Sequence, residues 1–313
     1  IGWIMNFKTN YILILIIAVL GFANEIFAQQ DAQYTQYMYN PMNVNPAYAG
    51  TRDVLSIFGM HRTQWVGLDG APVTNTFSLH SPIKEGKYGI GISVMSDKIG
   101  PIDESSLSID YAYKLNLSNS ILSFGLKGHF NLLNIDYSKL DIYDTSDKQF
   151  MNDVENKFSP NIGAGLYWYS DQYYVGLSVP RILETKYYNN TNFSSTARER
   201  MHYYIMGGYV FDLNNNIKFK PAILSKIVSG APVQLDLTAN FMFYDKFIIG
   251  GAYRLDAAYS LMAGFQVSNK ILIGYAYDKE ISKLSNFNSG SHEIFLRFEL
   301  FENSTNVFNP RFF

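Results

Sequence analysis

The chain has no cysteine in 313 residues, which removes disulfides and thiolate metal sites from the possible sources of stability. Neither sign of charge is in surplus: 25 Lys and Arg stand against 27 Asp and Glu, leaving −2, and no basic field forms that would suit nucleic acid. The longest apolar run, Tyr11 to Phe22, is shorter than the ~20 residues a membrane-crossing helix needs. Beyond it no stretch repeats with helical period, so no helix is expected in the body of the chain. Catalytic spacings are missing too. The five histidines (His61, His80, His129, His202 and His292) are scattered, with no H-E-x-x-H and no Cys/His cluster, and there is no G-x-S-x-G elbow. These absences argue against a metalloenzyme, a serine hydrolase and a nucleic-acid binder; no cofactor is implied and the reading is non-enzymatic.

Aromatic residues are abundant, at 16% with 24 Tyr and 23 Phe. The start of the chain accounts for little of this. Ile1 to Ile4 precede Met5 and read as upstream extension. From Met5, Lys8, the apolar run and the Ala28-Gln29 step have the pattern of a secretory signal peptide. Residues 1–28 are therefore expected to be signal plus extension, with the mature chain beginning near Gln29.

From residue 53 onward the dominant pattern is alternation. Leu107, Ile109, Tyr111, Tyr113, Leu115 and Leu117 interleave with Ser106, Ser108, Asp110, Ala112, Lys114 and Asn116. The same period-two pattern recurs at 122–132 and 233–244. Marking every such segment gives about fourteen strands: 53–66, 72–81, 87–97, 104–117, 120–133, 158–170, 172–180, 201–213, 216–228, 231–244, 246–256, 259–268, 270–279 and 291–302. Short polar turns such as Ser170–Asp171, Asn214–Asn215 and Ser268–Asn269 alternate with longer connections such as 134–157, 181–200 and 280–290. Aromatic residues flank the tight turns: Trp168 and Tyr169 face Tyr173 and Tyr174, and Phe243 and Tyr244 face Phe247.

These features predict an all-β fold: a single antiparallel transmembrane β-barrel with short periplasmic turns, longer external loops and aromatic girdles. In a bilayer no water satisfies backbone groups, so a sheet that crosses it must close on itself. A propeller would carry a blade repeat, which is absent, and a sandwich would not alternate loop lengths. The barrel predicts that Asp110, Lys114, Lys127, Asp236 and Arg254 point inward and pair. Gly89/Gly91 and Gly163/Gly165 lie at strand period with no helix behind them, so they serve the bending of the sheet or the approach of a plug, not phosphate binding. The loop holding Asp136, Asp141, Asp144, Asp147, Asp153 and Glu155 lacks calcium-loop order and reads as a solvated surface.

The least generic stretch is 33–83. Asn40-Pro41 and Asn45-Pro46 impose extended or turn geometry, so 29–52 reads as a periplasmic or plug segment ahead of the barrel at 53–302, with a tail at 303–313. "NPAYAGT", then "HRTQWVGLDGAPVTNT", resembles the N-terminal signature of the PorP/SprF family of type IX secretion system outer-membrane proteins. The matching positions are Asn45, Pro46, Ala47, Tyr48, Gly50, Arg62, Gln64, Trp65, Gly70, Pro72 and Thr74, expected to shape the N-terminal segment and first hairpin or to face a partner. Arg62 is expected inside the barrel, paired with an inward carboxylate such as Asp110.

The resemblance implies an outer-membrane protein of a Gram-negative bacterium that supports export or surface attachment of secreted, adhesin-like cargo through the cargo's C-terminal domain. It also implies type IX or peptidoglycan-associated periplasmic components as partners, beside the lipid bilayer. The alternative is a fourteen-stranded channel for a small hydrophobic solute.

Overall fold

The protein is described here by a computed structural model covering residues 34–140, 153–184 and 200–300. Its strands are β1 (Leu55–Thr63), β2 (Val73–Ile83), β3 (Tyr88–Ile99), β4 (Ile102–Asn116), β5 (Ile121–Ile135), β6 (Val154–Tyr169), β7 (Tyr173–Val179) and β8 (His202–Tyr209). There follow β9 (Phe211–Asn214), β10 (Ile217–Val228), β11 (Gln234–Phe243), β12 (Phe247–Arg254), β13 (Ala258–Ser268), β14 (Ile271–Glu280) and β15 (Ser291–Leu300). Neighbours in sequence are neighbours in the wall, and β15 returns to pair with β1, so no edge is left.

β8 and β9 are one wall position. Both pair with β10, and the register carries over from Gly208 opposite Ala222 to Phe211 opposite Phe219, shifting by one residue only at the end of β9 between Lys218 and Ile217. The barrel is thus closed, antiparallel and fourteen-stranded, in agreement with the alternation read from sequence.

The alternation also has the expected sense. Leu107, Ile109, Tyr111, Phe124, Leu126, Leu237 and Phe241 are exposed on the outside, whereas Asp110, Lys114, Lys127, Asp236 and Arg254 are buried inside. A soluble protein would not tile its whole outer surface with such residues; a lipid-facing one must. No helix among the described residues is long and apolar enough to cross a membrane, which says nothing about crossing by strands.

Two local expectations need correction. β5 and β6 run further than the alternation indicated, because Leu133, Ile135 and Tyr137 pack with Ile102 and Val154 into a small second core that carries the sheet past the main barrel. Consecutive Leu132 and Leu133 hid this by breaking the period. The aromatic residues at the Ser170 turn also divide: Trp168 and Tyr173 lie outside in edge-to-face contact at 5.2 Å, while Tyr169 and Tyr174 are buried inside. Successive strand residues point to opposite faces, so an aromatic pair adjacent in sequence cannot both join a girdle. In the acidic loop, Asp136 caps the short turn Tyr137–Lys139, and its carboxylate is held below the usual range by hydrogen bonds from the Ser138 hydroxyl and Lys139. Asp141, Asp144 and Asp147 lie outside the described residues.

Candidate functional site

The lumen is filled by the chain's own N-terminal segment. Three 3-10 turns, Tyr37–Tyr39, Pro41–Asn43 and Pro46–Tyr48, carry it from the long-loop end of the barrel to the short-turn end. The local sequence explains this shape. Each Asn-Pro step starts a turn, Pro41 and Pro46 occupy first-turn positions where no N–H is required, and the Asn45 carboxamide oxygen accepts from Ala47 N at 3.0 Å.

At the long-loop end the plug is tied through one guanidinium. Arg62, 1% exposed, donates to Asp278 at 2.7 Å, Glu293 at 3.1 Å and the Thr35 hydroxyl at 2.9 Å, while Gln64 receives its Nε at 3.1 Å. The same carboxylates hold the plug directly. Glu293 accepts from the backbone N–H of Thr35 at 3.0 Å and of Gln36 at 2.9 Å, and Asp278 accepts from the Thr35 hydroxyl at 2.6 Å. Charge-assisted bonds of this kind are the strong ones, and a planar fork between two carboxylates is a task for arginine and not lysine.

Arg62 therefore lies in the lumen as expected, but its partners are Asp278 and Glu293, not Asp110. Register decides this: Glu293 is directly opposite Arg62 across the closing seam, whereas Asp110 is opposite Lys127 and pairs with it at 3.0 Å. Asp236 is satisfied similarly by Arg254 at 2.8 Å.

Midway down, wall side chains hold plug backbone. The Ser178 hydroxyl donates to the Val44 carbonyl at 2.7 Å, and Asn45 reaches outward to donate to the Leu166 carbonyl at 2.9 Å. At the short-turn end Gly50 N donates to His80 Nδ1 at 3.0 Å, Lys114 Nζ donates to the Gly50 carbonyl, and Arg52 pairs with Glu299. Tyr48 packs edge-to-face on Tyr167 at 5.6 Å and on His80 at 5.4 Å, which makes an aromatic floor.

Glycines in the wall shape the seat. A side chain at Gly89 would collide with the Ala49 carbonyl, at Gly91 with Met42, at Gly125 with the backbone of Pro46 and Ala47, and at Gly165 with Asn45. Of the glycines read from sequence, Gly89 is where plug backbone touches wall backbone, while Gly91 and Gly165 make room for the plug side chains of Met42 and Asn45. Gly163 is the exception, leaving room for the Pro180 carbonyl on the neighbouring strand end. Gly50 adopts φ +71°, and a Cβ there would lie 2.7 Å from Gly89 Cα, so both sides of that contact are glycine.

The signature residues fall into two connected groups. Asn45, Pro46, Ala47, Tyr48 and Gly50 are the buried lower half of the plug. Arg62, Gln64, Trp65, Gly70, Pro72 and Thr74 belong to the first hairpin, which the plug's upper end touches through Arg62. Trp65 (φ 47°) donates its indole N–H to Glu280 at 3.1 Å, Val66 N donates to the Gly290 carbonyl and the Val66 carbonyl accepts from Ser289 N, so the hairpin tip is fixed to the β14–β15 loop. Gly70 turns at φ 72°, the Pro72 carbonyl accepts from Gln64 N at 2.9 Å, and Thr74 donates to Asp97 at 2.5 Å.

Sequence reasoning missed Thr35, Gln36, Arg52, Asp278, Glu293 and Glu299. Glu293, Arg297 and Glu299 alternate with apolar residues on the final strand and could have been picked out as an inward charged row. A cavity beside the plug, lined by Tyr34, Asn43, Thr76, Ser93 and Lys127, measures about 80 Å³, room for a few waters.

The family described as type IX secretion system membrane protein PorP/SprF matches residues 26–298. No curated protein matches the chain. Among solved structures, Omp33 of Acinetobacter baumannii is similar at 9% identity, covering 80% of this chain and 100% of its own, with a TM-score of 0.46. A FadL homologue of Pseudomonas aeruginosa is similar at 12% identity over 85% and 94%, with a TM-score of 0.46. A KdgM porin is similar at 9% identity over 79% and 99%, with a TM-score of 0.37.

Proposed function

The chain belongs to the PorP/SprF family of type IX secretion system membrane proteins, and we propose that it serves that system as a non-enzymatic, plugged outer-membrane barrel. In this reading its external loops hold a secreted, adhesin-like partner through that partner's C-terminal domain, and its short-turn face meets periplasmic components of the machinery. The observation that carries the proposal is the filled lumen. A segment hydrogen-bonded at one end to a buried Arg62–Asp278–Glu293 cluster of the wall, ion-paired at the other through Arg52 and Glu299, and seated on glycine contacts occupies the space a transport path would need. What remains accessible is the rim, where loops offer specificity on a fixed membrane scaffold.

A channel for a small hydrophobic solute would require an open apolar lumen or a labile plug. The inner wall instead presents paired charges to a plug it holds by name at nearly every turn, which weighs against that alternative.

The test is affinity capture of the tagged protein, solubilised gently from outer membranes, with mass spectrometry of co-purifying chains. The proposal expects a large secreted protein together with machinery components, and expects loss of the secreted protein alone when residues 281–290 are replaced by a short turn. Recovery of the barrel by itself, under conditions that preserve other outer-membrane complexes, would overturn it.

A further inference from the structure

The outer wall is not uniformly bulky. Across β11–β14 one row of outward positions reads Ala239, Gly251, Leu261 and Tyr277, each directly opposite the next in register. Ala239 and Gly251 leave a groove of about 550 Å³ between the side chains of Leu237, Tyr253, Tyr259 and Leu261. The walls stand out from the surface, with Leu261 72% and Tyr259 57% exposed.

Gly251 is not required by the barrel. Its neighbour Gly250 faces inward, and a Cβ there would collide with Asn240. A Cβ on Gly251 would meet only the Ser260 carbonyl, at an ordinary 3.6 Å, and its φ is not positive. Glycine inside a strand is less favourable than alanine, so its presence here leaves the groove open at some expense to the wall.

The row nearer the long loops runs Leu237, Tyr253, Tyr259 and Lys279. Tyr253 and Tyr259 stack at 4.9 Å as part of the girdle on that side. Lys279 is exposed at the end of the row, lines the groove, and has no carboxylate partner among the described residues. The site is therefore an apolar slot just below an aromatic girdle with one ammonium at its upper rim. That is the chemistry of an acyl chain whose headgroup carries a phosphate.

We propose that this groove seats an acyl chain of lipid A, the phosphorylated glycolipid of the outer leaflet, with Lys279 on the phosphate. Only the orientation given above, with the long loops outside, is needed; the secreted partner is not.

Native mass spectrometry of the purified barrel, delipidated and then exposed to lipid A, phosphatidylglycerol or phosphatidylethanolamine, tests this. The expected result is one lipid A retained per barrel through a detergent wash that removes the phospholipids. Gly251→Leu fills the slot from a position with room for a side chain and should lower retention at least tenfold, while Lys279→Gln should lower it several-fold. Gly59→Leu, on the outside of β1 with nothing within 4 Å, should leave it unchanged. Should Gly251→Leu fail to give the folded, heat-modifiable band, Ala239→Leu obstructs the same slot. Equal retention by the filled variants, or no retained lipid, overturns the proposal. Preferential retention of phosphatidylglycerol overturns the choice of lipid A and points to the inner leaflet, whereas loss of cargo capture with lipid retention intact would count against the proposed function alone.

Discussion

Replacing Gly125 by alanine separates the plug from the wall more cleanly than any charge mutation. Gly125 faces inward on β5, and an added Cβ would sit 2.1 Å from Ala47 N, 2.5 Å from Ala47 Cα and 2.5 Å from the Pro46 carbonyl carbon. Ordinary contact begins at 3.4 Å, so the nearest atom, Ala47 N, must move away by 3.4 − 2.1 = 1.3 Å. These obstacles are backbone, and no rotamer change relieves them. Alanine suits the strand itself, so the strain falls on the plug. Overpacking of this kind costs about 1–3 kcal/mol, and the shift also stretches the Asn45 bond to the Leu166 carbonyl, now 2.9 Å, a neutral hydrogen bond worth about 0.5–1.5 kcal/mol. Gly59→Ala is the matched control: it lies on the outside of β1 with open space around it and should be neutral or stabilising by about 0.5–1 kcal/mol. Unfolding from lipid vesicles in urea, with each variant's closed conductance recorded in parallel, reads both effects. Gly125→Ala is expected to lose about 1–4 kcal/mol and to show flickering openings. If it matched Gly59→Ala in both measurements, the seat would not be holding the plug.

Arg62→Met leaves Asp278 and Glu293 buried without their cation and is expected to destabilise the protein by about 3–5 kcal/mol; the triple variant Arg62→Met, Asp278→Asn, Glu293→Gln should recover most of that in the same urea assay. Asn45→Ala removes both the cap on the Pro46–Tyr48 turn and a partner of the Leu166 carbonyl, with an expected loss of about 1–2 kcal/mol and no change in surface display at growth temperature. Glu299→Gln neutralises the partner of Arg52 at the short-turn end and should raise protease sensitivity of residues 50–53 while leaving the Arg62 end protected, since the two anchors share no side chain.

Much of the wall was legible because period-two alternation depends on each residue's immediate neighbours. Leu126 and Lys127 state their faces through their own chemistry. The outward Phe243 and Phe247 and the inward Asp236 and Arg254 were readable for the same reason. Pairing across the closing seam was not. Arg62 and Glu293 are far apart in sequence and meet only because fourteen strands close in one register, so nothing local favoured Glu293 over Asp110. The plug was half legible: Asn-Pro steps announced turns and the wall glycines announced close approach, but that each needed the other emerged only from their contact. Gln64 and Trp65 fell inside the first strand read from sequence, 53–66, but β1 ends at Thr63 and the chain there leaves strand geometry, Trp65 with a positive φ.

The sealed lumen is tested most directly by recording the purified, full-length barrel in planar bilayers across a range of voltages. A protein whose N-terminal segment is fixed at one end by hydrogen bonds to buried wall carboxylates and at the other by the Arg52–Glu299 ion pair should insert and stay electrically silent, with openings appearing only in variants such as Gly125→Ala. Steady stepwise conductance from the unaltered protein would mean that the plug leaves its seat spontaneously, and would favour a solute channel over a partner-holding barrel.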